Sequence, residues 1–197
     1  MNRTPLLLET IRIEKGRPCH LEWHNRRFNR ARRELFGSEE ELDLGEFLTR
    51  VPVQGTCRCR ILYRAEVEKV EFLSYMFRLP RSFVLTEFTG KYDHKYADRS
   101  LFERLKIRCP EAEELILCRN GLITDTTIAN IALRKGSRWY TPKKPLLAGT
   151  TRARLLSEGS LIEADLPHTA LREFDELALM NAMIGFRPIE APDYIIM

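Results

Sequence analysis

Lys95 stands in Tyr92-Asp93-His94-Lys95-Tyr96-Ala97-Asp98-Arg99, between a segment that reads as a strand and one that reads as a helix. A side chain at such a strand end can project into a cleft, where its amine can condense with a carbonyl. Taken by itself, a lysine in so charged a stretch reads as a solvated surface residue, since Lys is almost never fully buried. Asp125 follows in Gly121-Leu122-Ile123-Thr124-Asp125-Thr126-Thr127-Ile128-Ala129-Asn130. A carboxylate there could keep a pyridine nitrogen protonated through a charge-assisted hydrogen bond, or simply close a turn or cap a helix. Thr127, Ile128 and Ala129 offer backbone N–H groups beside it. Gly149-Thr150-Thr151-Arg152 reads as a helix start whose N–H groups and hydroxyls suit a phosphate, although plain N-capping by Thr150 or Thr151 accounts for the same residues. Arg27 offers a bidentate phosphate donor among neighbours, Arg26, Arg30, Arg32 and Arg33, that read as solvated. An imine-forming lysine, an acid for a ring nitrogen and a phosphate cup are together what pyridoxal 5′-phosphate requires.

Taken in order, His24-Asn25-Arg26-Arg27-Phe28, Lys95-Tyr96-Ala97-Asp98-Arg99, Gly121 through Asn130, and Gly149-Thr150-Thr151-Arg152 resemble the motifs of the class IV aminotransferases. That family holds D-amino acid aminotransferase, branched-chain aminotransferase and aminodeoxychorismate lyase, and its architecture is called fold type IV. The resemblance runs from about Leu8 to Pro188. It implies Lys95 as the imine lysine, Arg27, Thr150 and Thr151 as phosphate ligands, and Ile128 and Ala129, with Thr127 beside them, as backbone donors to the phosphate. Asp125 falls at the ring-nitrogen position, where the family usually has the longer Glu. The resemblance further implies a homodimer. Met180-Asn181-Ala182-Met183-Ile184-Gly185 resembles the family's substrate-side loop, in which Asn181, with Ala182 next to it, could bind a substrate carboxylate; a turn-forming Asn is the alternative.

Longer relatives carry a glycine-containing segment ahead of the stretch that corresponds to Leu8-Glu9-Thr10. A transaminase must recognise two amino acid and keto acid pairs in turn, whereas a lyase needs the imine and two proton transfers by one lysine. The expectation is therefore a lyase that converts 4-amino-4-deoxychorismate to 4-aminobenzoate and pyruvate, a step toward folate. The alternatives are an aminotransferase acting on D-amino or branched-chain amino acids, and a non-catalytic binding protein that keeps the fold.

The elements that must position these residues follow from periodicity. Leu6–Ile13 alternates as a strand, and Glu14-Lys15-Gly16 turns into a second short extended segment. Leu21, Phe28, Ala31 and Leu35 recur at helical spacing up to a stop at Gly37, which gives a helix with a basic outer face. Ser38 is expected to cap an acidic helix through Phe47. Cys57–Tyr63 and Val67–Phe77 read as paired strands, and Arg78-Leu79-Pro80-Arg81-Ser82 as a linker. Beyond it come a strand at Phe83–Phe88, a helix over Ser100–Ile107, a hairpin turning at Asn120-Gly121 and another at Lys135-Gly136-Ser137. A helix after Gly149, then a tail with one helix and a last strand at Leu177–Met180, complete an α+β chain of mostly antiparallel strands. Two subdomains are expected, residues 1–79 and a larger 80–197 that carries the lysine and most of the phosphate site.

Composition narrows the rest. With 44% apolar and 30% charged residues among 197, the chain reads as globular, and no stretch is apolar enough to span a bilayer. The N-terminal residues lack the pattern of a secretion signal, so a cytoplasmic location is expected. Five cysteines with no C-x-x-C pair argue for buried free thiols rather than disulfides or a zinc ribbon. His20 and His24 lie four apart, but no carboxylate motif completes a metal site, and none is expected. The net charge of +4 is interleaved with acids, and the basic stretch Arg26–Arg33 lacks a recognisable module and the aromatic interleaving of single-strand binders, so no nucleic-acid partner is expected.

Overall fold

The computed structural model describes residues 4–195 and divides the chain into two compact units. The first runs through Phe77 and takes in His94–Asp98; the second comprises Arg78–Asp93 and the chain from Arg99 onward. Among the described residues no helix is long and apolar enough to cross a membrane.

In the first unit β1 (Leu7–Glu14), β2 (Arg17–Pro18), β3 (Thr56–Tyr63) and β4 (Val67–Ser74) form an antiparallel sheet in the order β2-β1-β3-β4. Lys15 and Gly16, at φ 49 and 77, make the tight turn between β1 and β2. The pleat sends Leu7, Glu9, Ile11 and Ile13 to one face together with Cys57, Cys59, Ile61 and Tyr63. Helix α1 (Leu21–Phe36) buries His24, Phe28, Ala31 and Arg32, and Phe28 meets Tyr63 edge to face at 4.6 Å. The helix ends where Gly37 adopts φ 68 and donates back to the Arg33 carbonyl, as its stop signal predicts. Each large side chain so buried contributes roughly 1.5–3 kcal/mol.

Two expectations fail in this unit. Ser38 starts no helix; after α1 there is only a single 3-10 turn, Leu44–Phe47, capped by Asp43. The intervening backbone is drawn out by α1 itself: Arg32 Nη1 donates to the Glu40 carbonyl at 2.7 Å, and the Asn29 amide donates to the Leu42 carbonyl and accepts from the Leu42 N–H. Nor is α1 uniformly solvated on its basic side, because Arg32 is fully buried over the Phe28 ring.

Lys95 also lies elsewhere than the sequence placed it, since the N-terminal unit and not the C-terminal one takes it in. Its carbonyl accepts from Leu8 N–H at 2.9 Å, Ala97 N–H donates to the Leu6 carbonyl, and Tyr96 bridges Leu7. This short strip covers the edge of β1 opposite β3, a pairing between segments far apart in the chain that leaves no local trace in either.

The second unit holds two sheets. One is ordered β13-β5-β6-β7, from β5 (Ser82–Glu87), β6 (Glu114–Arg119), β7 (Leu122–Thr126) and β13 (Asp193–Ile195). The other is ordered β10-β9-β8-β11-β12, from β8 (Asn130–Lys135), β9 (Arg138–Pro142), β10 (Ile162–Ala164), β11 (Glu176–Asn181) and β12 (Gly185–Ile189). Helix α2 (Ser100–Arg108) lies between β5 and β6 in the chain, which run parallel, and α3 (Thr150–Ser157) follows β9. The tail differs from expectation: its helix is a 3-10 segment, His168–Glu173, and two strands follow β11. The turn at residues 127–129 carries the chain from one sheet to the other, so β7 ends, and β8 begins, at a junction.

Candidate active site

In the first unit the sequence-predicted Arg27 is joined by two residues that the motif reading did not select. The Glu9 carboxylate, 0% exposed, accepts from Arg27 Nε at 2.8 Å and Arg27 Nη2 at 2.6 Å, and lies 2.7 Å from His24 Nδ1. Burial opposes the ionisation of Glu9 more than any other single influence. The Arg27 charge and the hydrogen bonds from His24 and Arg27 together outweigh it and hold the pKa at about 2. Burial likewise lowers the pKa of His24, against the opposing pull of Glu9, so at neutral pH the ring is uncharged. An ionised carboxylate can only accept, so Nδ1 carries the proton and donates it to Glu9. Lys95 is half-buried, and its charge is felt at His24. The lysine and the arginine of the motif reading thus share a unit, but two of Arg27's donor groups face Glu9.

Asp125, Thr127, Ile128, Ala129, Thr150, Thr151, Asn181 and Ala182 all belong to the second unit. Asp125 sits near the end of β7 and is 4% exposed. Its Oδ1 accepts from Asn130 Nδ2 at 2.6 Å and its Oδ2 from Leu147 N–H at 2.9 Å. Burial pushes its pKa up to about 7, against these two donors and the nearby Arg152 charge. Asn130 Nδ2 also donates to the Leu147 carbonyl at 2.8 Å. Two residues on, Gly149 precedes α3 in extended conformation, φ −71 and ψ 145, and no side chain caps the helix. Thr150 and Thr151, both buried, therefore open a helix whose N-cap residue offers no side-chain acceptor to the first N–H groups, an arrangement suited to a phosphate. The alternative of N-capping by either threonine is not what the chain adopts.

The turn between β7 and β8 is held on every side. Thr127 gives both its N–H, at 3.1 Å, and its hydroxyl, at 2.5 Å, to the buried Glu114, which also takes Lys106 at 2.7 Å. Arg99 Nη2 takes the Thr127 carbonyl, Asn181 Nδ2 takes the Ile128 carbonyl at 3.1 Å, and Thr126 takes the Ala129 carbonyl. The N–H groups of Ile128 and Ala129 converge on the Thr126 hydroxyl at 3.4 and 3.1 Å. Thr127 is thus engaged with Glu114, and the neighbouring pair of N–H groups, expected from the sequence as phosphate donors, is engaged with the Thr126 hydroxyl. Asn181 behaves as a turn former: its oxygen accepts from Met183 and Ile184 N–H, with half-buried Ala182 between.

Glu9, Asn130, Glu114 and Arg99 are the residues that sequence reasoning missed. Glu9 had a signal, since it occupies the same strand parity as Leu7, Ile11 and Ile13 and so had to face the core. Among the described residues, no group of three or more His, Cys, Asp or Glu side chains gathers as for a metal. His20 stands outside α1 as its N-cap residue, at φ 54, while His24 lies within the helix with its Nδ1 2.7 Å from Glu9.

Residues 89–191, slightly more than half of the chain, match the family model described as amino-transferase class IV. The chain belongs to this family. An uncharacterized protein of Haemophilus influenzae is 35% identical over 185 residues, covering 91% of this chain and 98% of that protein. An aminodeoxychorismate lyase of Bacillus subtilis is 24% identical, covering 95% of this chain and 78% of the relative. The crystal structure of a Haemophilus somnus protein provisionally named a 4-amino-4-deoxychorismate lyase superposes with a TM-score of 0.84 at 30% identity, covering 93% of this chain and 98% of that one. The class IV proteins are pyridoxal-phosphate-dependent enzymes, and the chain is an enzyme of that kind with their mixed α and β fold.

Proposed function

We propose that the protein binds pyridoxal 5′-phosphate and converts 4-amino-4-deoxychorismate to 4-aminobenzoate and pyruvate, working as a cytoplasmic homodimer in the supply of folate. The observation that carries the cofactor assignment is in the second unit, where a buried carboxylate, Asp125, is tied to the uncapped, threonine-bearing start of α3. That donor set fits a phosphorylated pyridine: Thr150, Thr151 and the N–H groups of the first turn for the phosphate, and Asp125 for the ring nitrogen. The resemblance to the family would add the N–H groups of Ile128 and Ala129, which in the structure donate to the Thr126 hydroxyl, and Arg27, whose Nε and Nη2 donate to Glu9. The cofactor, when bound, supplies a ring that accepts electrons from the substrate.

Lys95 is the covalent attachment point. Its amine would take a proton from the ring carbon bearing the nitrogen and would give one to the methylene carbon of the enolpyruvyl group as the ring C–O bond breaks, which frees pyruvate. Aromatisation of the remaining ring supplies much of the driving force. The choice of lyase over aminotransferase rests on the names of the Bacillus subtilis and Haemophilus somnus relatives. The free cysteines, four of them buried, suit a reducing compartment. The test is to incubate one preparation with aminodeoxychorismate and, separately, with a panel of D- and L-amino acids plus a keto acid acceptor. Formation of 4-aminobenzoate that Lys95→Ala abolishes is the expected result. Steady transamination with no 4-aminobenzoate would replace the lyase with an aminotransferase.

A further inference from the structure

Asn130 is 6% exposed and opens β8, where it is in register with Met180 of β11. Its single amide nitrogen makes two hydrogen bonds, to Asp125 Oδ1 at 2.6 Å and to the Leu147 carbonyl at 2.8 Å. The Leu147 N–H returns to the other oxygen of the same carboxylate at 2.9 Å. Asp125, Asn130 and the Leu147 backbone therefore close a ring in which one residue is held at both its N–H and its carbonyl. The orientation of the amide is fixed by chemistry, since turning it over would set its oxygen against the carboxylate.

The remaining atom of that amide explains a glycine. Asn130 Oδ1 occupies the space beside Gly149, where a Cβ would lie 1.9 Å from it and 3.1 Å from Asn130 Cγ. Gly149 has an extended backbone that other residues adopt readily, so its lack of a side chain answers to this contact and not to a conformational need. The glycine is also the residue immediately before the first turn of α3. One side chain thus touches the carboxylate, the peptide two residues before the glycine, and the glycine itself.

We propose that Asn130 is a positioning residue that sets the direction and hydrogen-bonding of the Asp125 carboxylate and locks it to the start of α3. The proposal rests on the reading of Asp125 as the partner of the cofactor's ring nitrogen. The ring uses one acceptor direction of each carboxylate oxygen and the Leu146 N–H acts on the same group; of the roughly four directions a carboxylate offers one is left, so a ring N–H can be accepted without breaking what holds the group in place. Arg152, in the first turn of α3, is the charged group that acts on Asp125 from the helix side. It is held by the Pro142 carbonyl and Glu163, each at 2.7 Å, so its contribution does not depend on Asn130.

A double-mutant cycle on the full chain tests this, with the affinity for pyridoxal phosphate read from its visible absorption. Asn130→Ala is expected to weaken binding tenfold or more in the wild-type background, the loss of one hydrogen bond to a charged group. In the Asp125→Ala background the same change is expected to alter binding less than about twofold, because its effect runs through the carboxylate. An equal loss in both backgrounds would show Asn130 to be merely structural and overturn the proposal. A wild-type affinity and spectrum in Asp125→Ala alone would instead overturn the ring-nitrogen reading on which it rests. A second measurement needs neither variant nor cofactor. In the wild-type protein the Asn130 side-chain amide proton resonances should follow the titration of Asp125, and resonances indifferent to it would also refute the proposal.

Discussion

Glu9 offers the sharpest physical test, because it is a carboxylate placed with no solvent exposure at a position the sequence reserves for the core. Its pKa of about 2, against the ordinary 4.5, means that the folded state prefers the ionised form by about 3 kcal/mol, at about 1.4 kcal/mol for each pH unit. The folded value is depressed, so this stability is complete above the unfolded value and is lost as the pH falls through the folded one. By pH 3 the unfolded carboxylate is almost wholly protonated and the folded one is not, and about 2 kcal/mol has gone. Burial also lowers the His24 pKa, which adds loss in the same direction below the ordinary value of 6.5. The direct assay is a carbon-detected NMR titration of glutamate side chains, with Glu9 identified by the resonance missing from Glu9→Gln. The Glu9 signal should hold its ionised position to pH 3 or to the onset of unfolding. At pH 7, Glu9→Gln removes the carboxylate that accepts from both Nε and Nη2 of Arg27, whose side chain is only 10% exposed, and should cost about 3–5 kcal/mol in urea denaturation. A midpoint at or above 4, or a loss under about 1 kcal/mol, would refute the reasoning.

Thr151→Ala should weaken pyridoxal phosphate binding by roughly tenfold, measured by absorbance titration, while Lys91→Ala, at an exposed site, should leave it unchanged. Arg27→Ala should weaken binding and also lower stability, since it strands Glu9 in the interior; the two losses separate by following affinity and urea midpoint on the same variant. Gly149→Ala should destabilise the cofactor-free protein by about 3 kcal/mol, because the new methyl must displace Asn130 from its buried hydrogen bonds, and a thermal midpoint equal to wild type would contradict the crowding described.

Helix α1 was legible because its apolar stripe faces one side of a sheet and a glycine in left-handed conformation ends it, both local properties. The Asn120-Gly121 hairpin was legible for the same reason, with φ 52 and 78 at its two turn residues. In the second unit Glu114–Arg119 was legible from the turn that follows it and Glu176–Asn181 from its apolar run, although both strands are buried on both faces and carry no alternation. The strand Gly185–Ile189 was missed because Pro188 looks like a breaker; it is tolerated there because the strand lies at the edge of its sheet. The segment after Gly37 misled because its conformation is dictated by Asn29 and Arg32 rather than by its own acidic, helix-favouring residues. In the candidate site, the motif residues could be picked out by type and order. Of their supports only Glu9 left a trace, in its strand parity; Asn130 and Glu114 are distinguished only by what they touch.

The strip His94–Asp98 makes the first unit discontinuous, since its sheet borrows an edge from residues that lie beyond β5. A fragment cut at the apparent linker after Phe77 would lose that strip and bare the Leu6–Leu8 edge, with its N–H and carbonyl groups ready to accept a strand from another molecule. The linker visible in the sequence is thus no seam along which the protein can be dissected. Any insertion, permutation or split version of the chain has to keep Leu6–Leu8 and His94–Asp98 together, and a peptide that spans the latter is the natural piece with which to complement a truncated first unit.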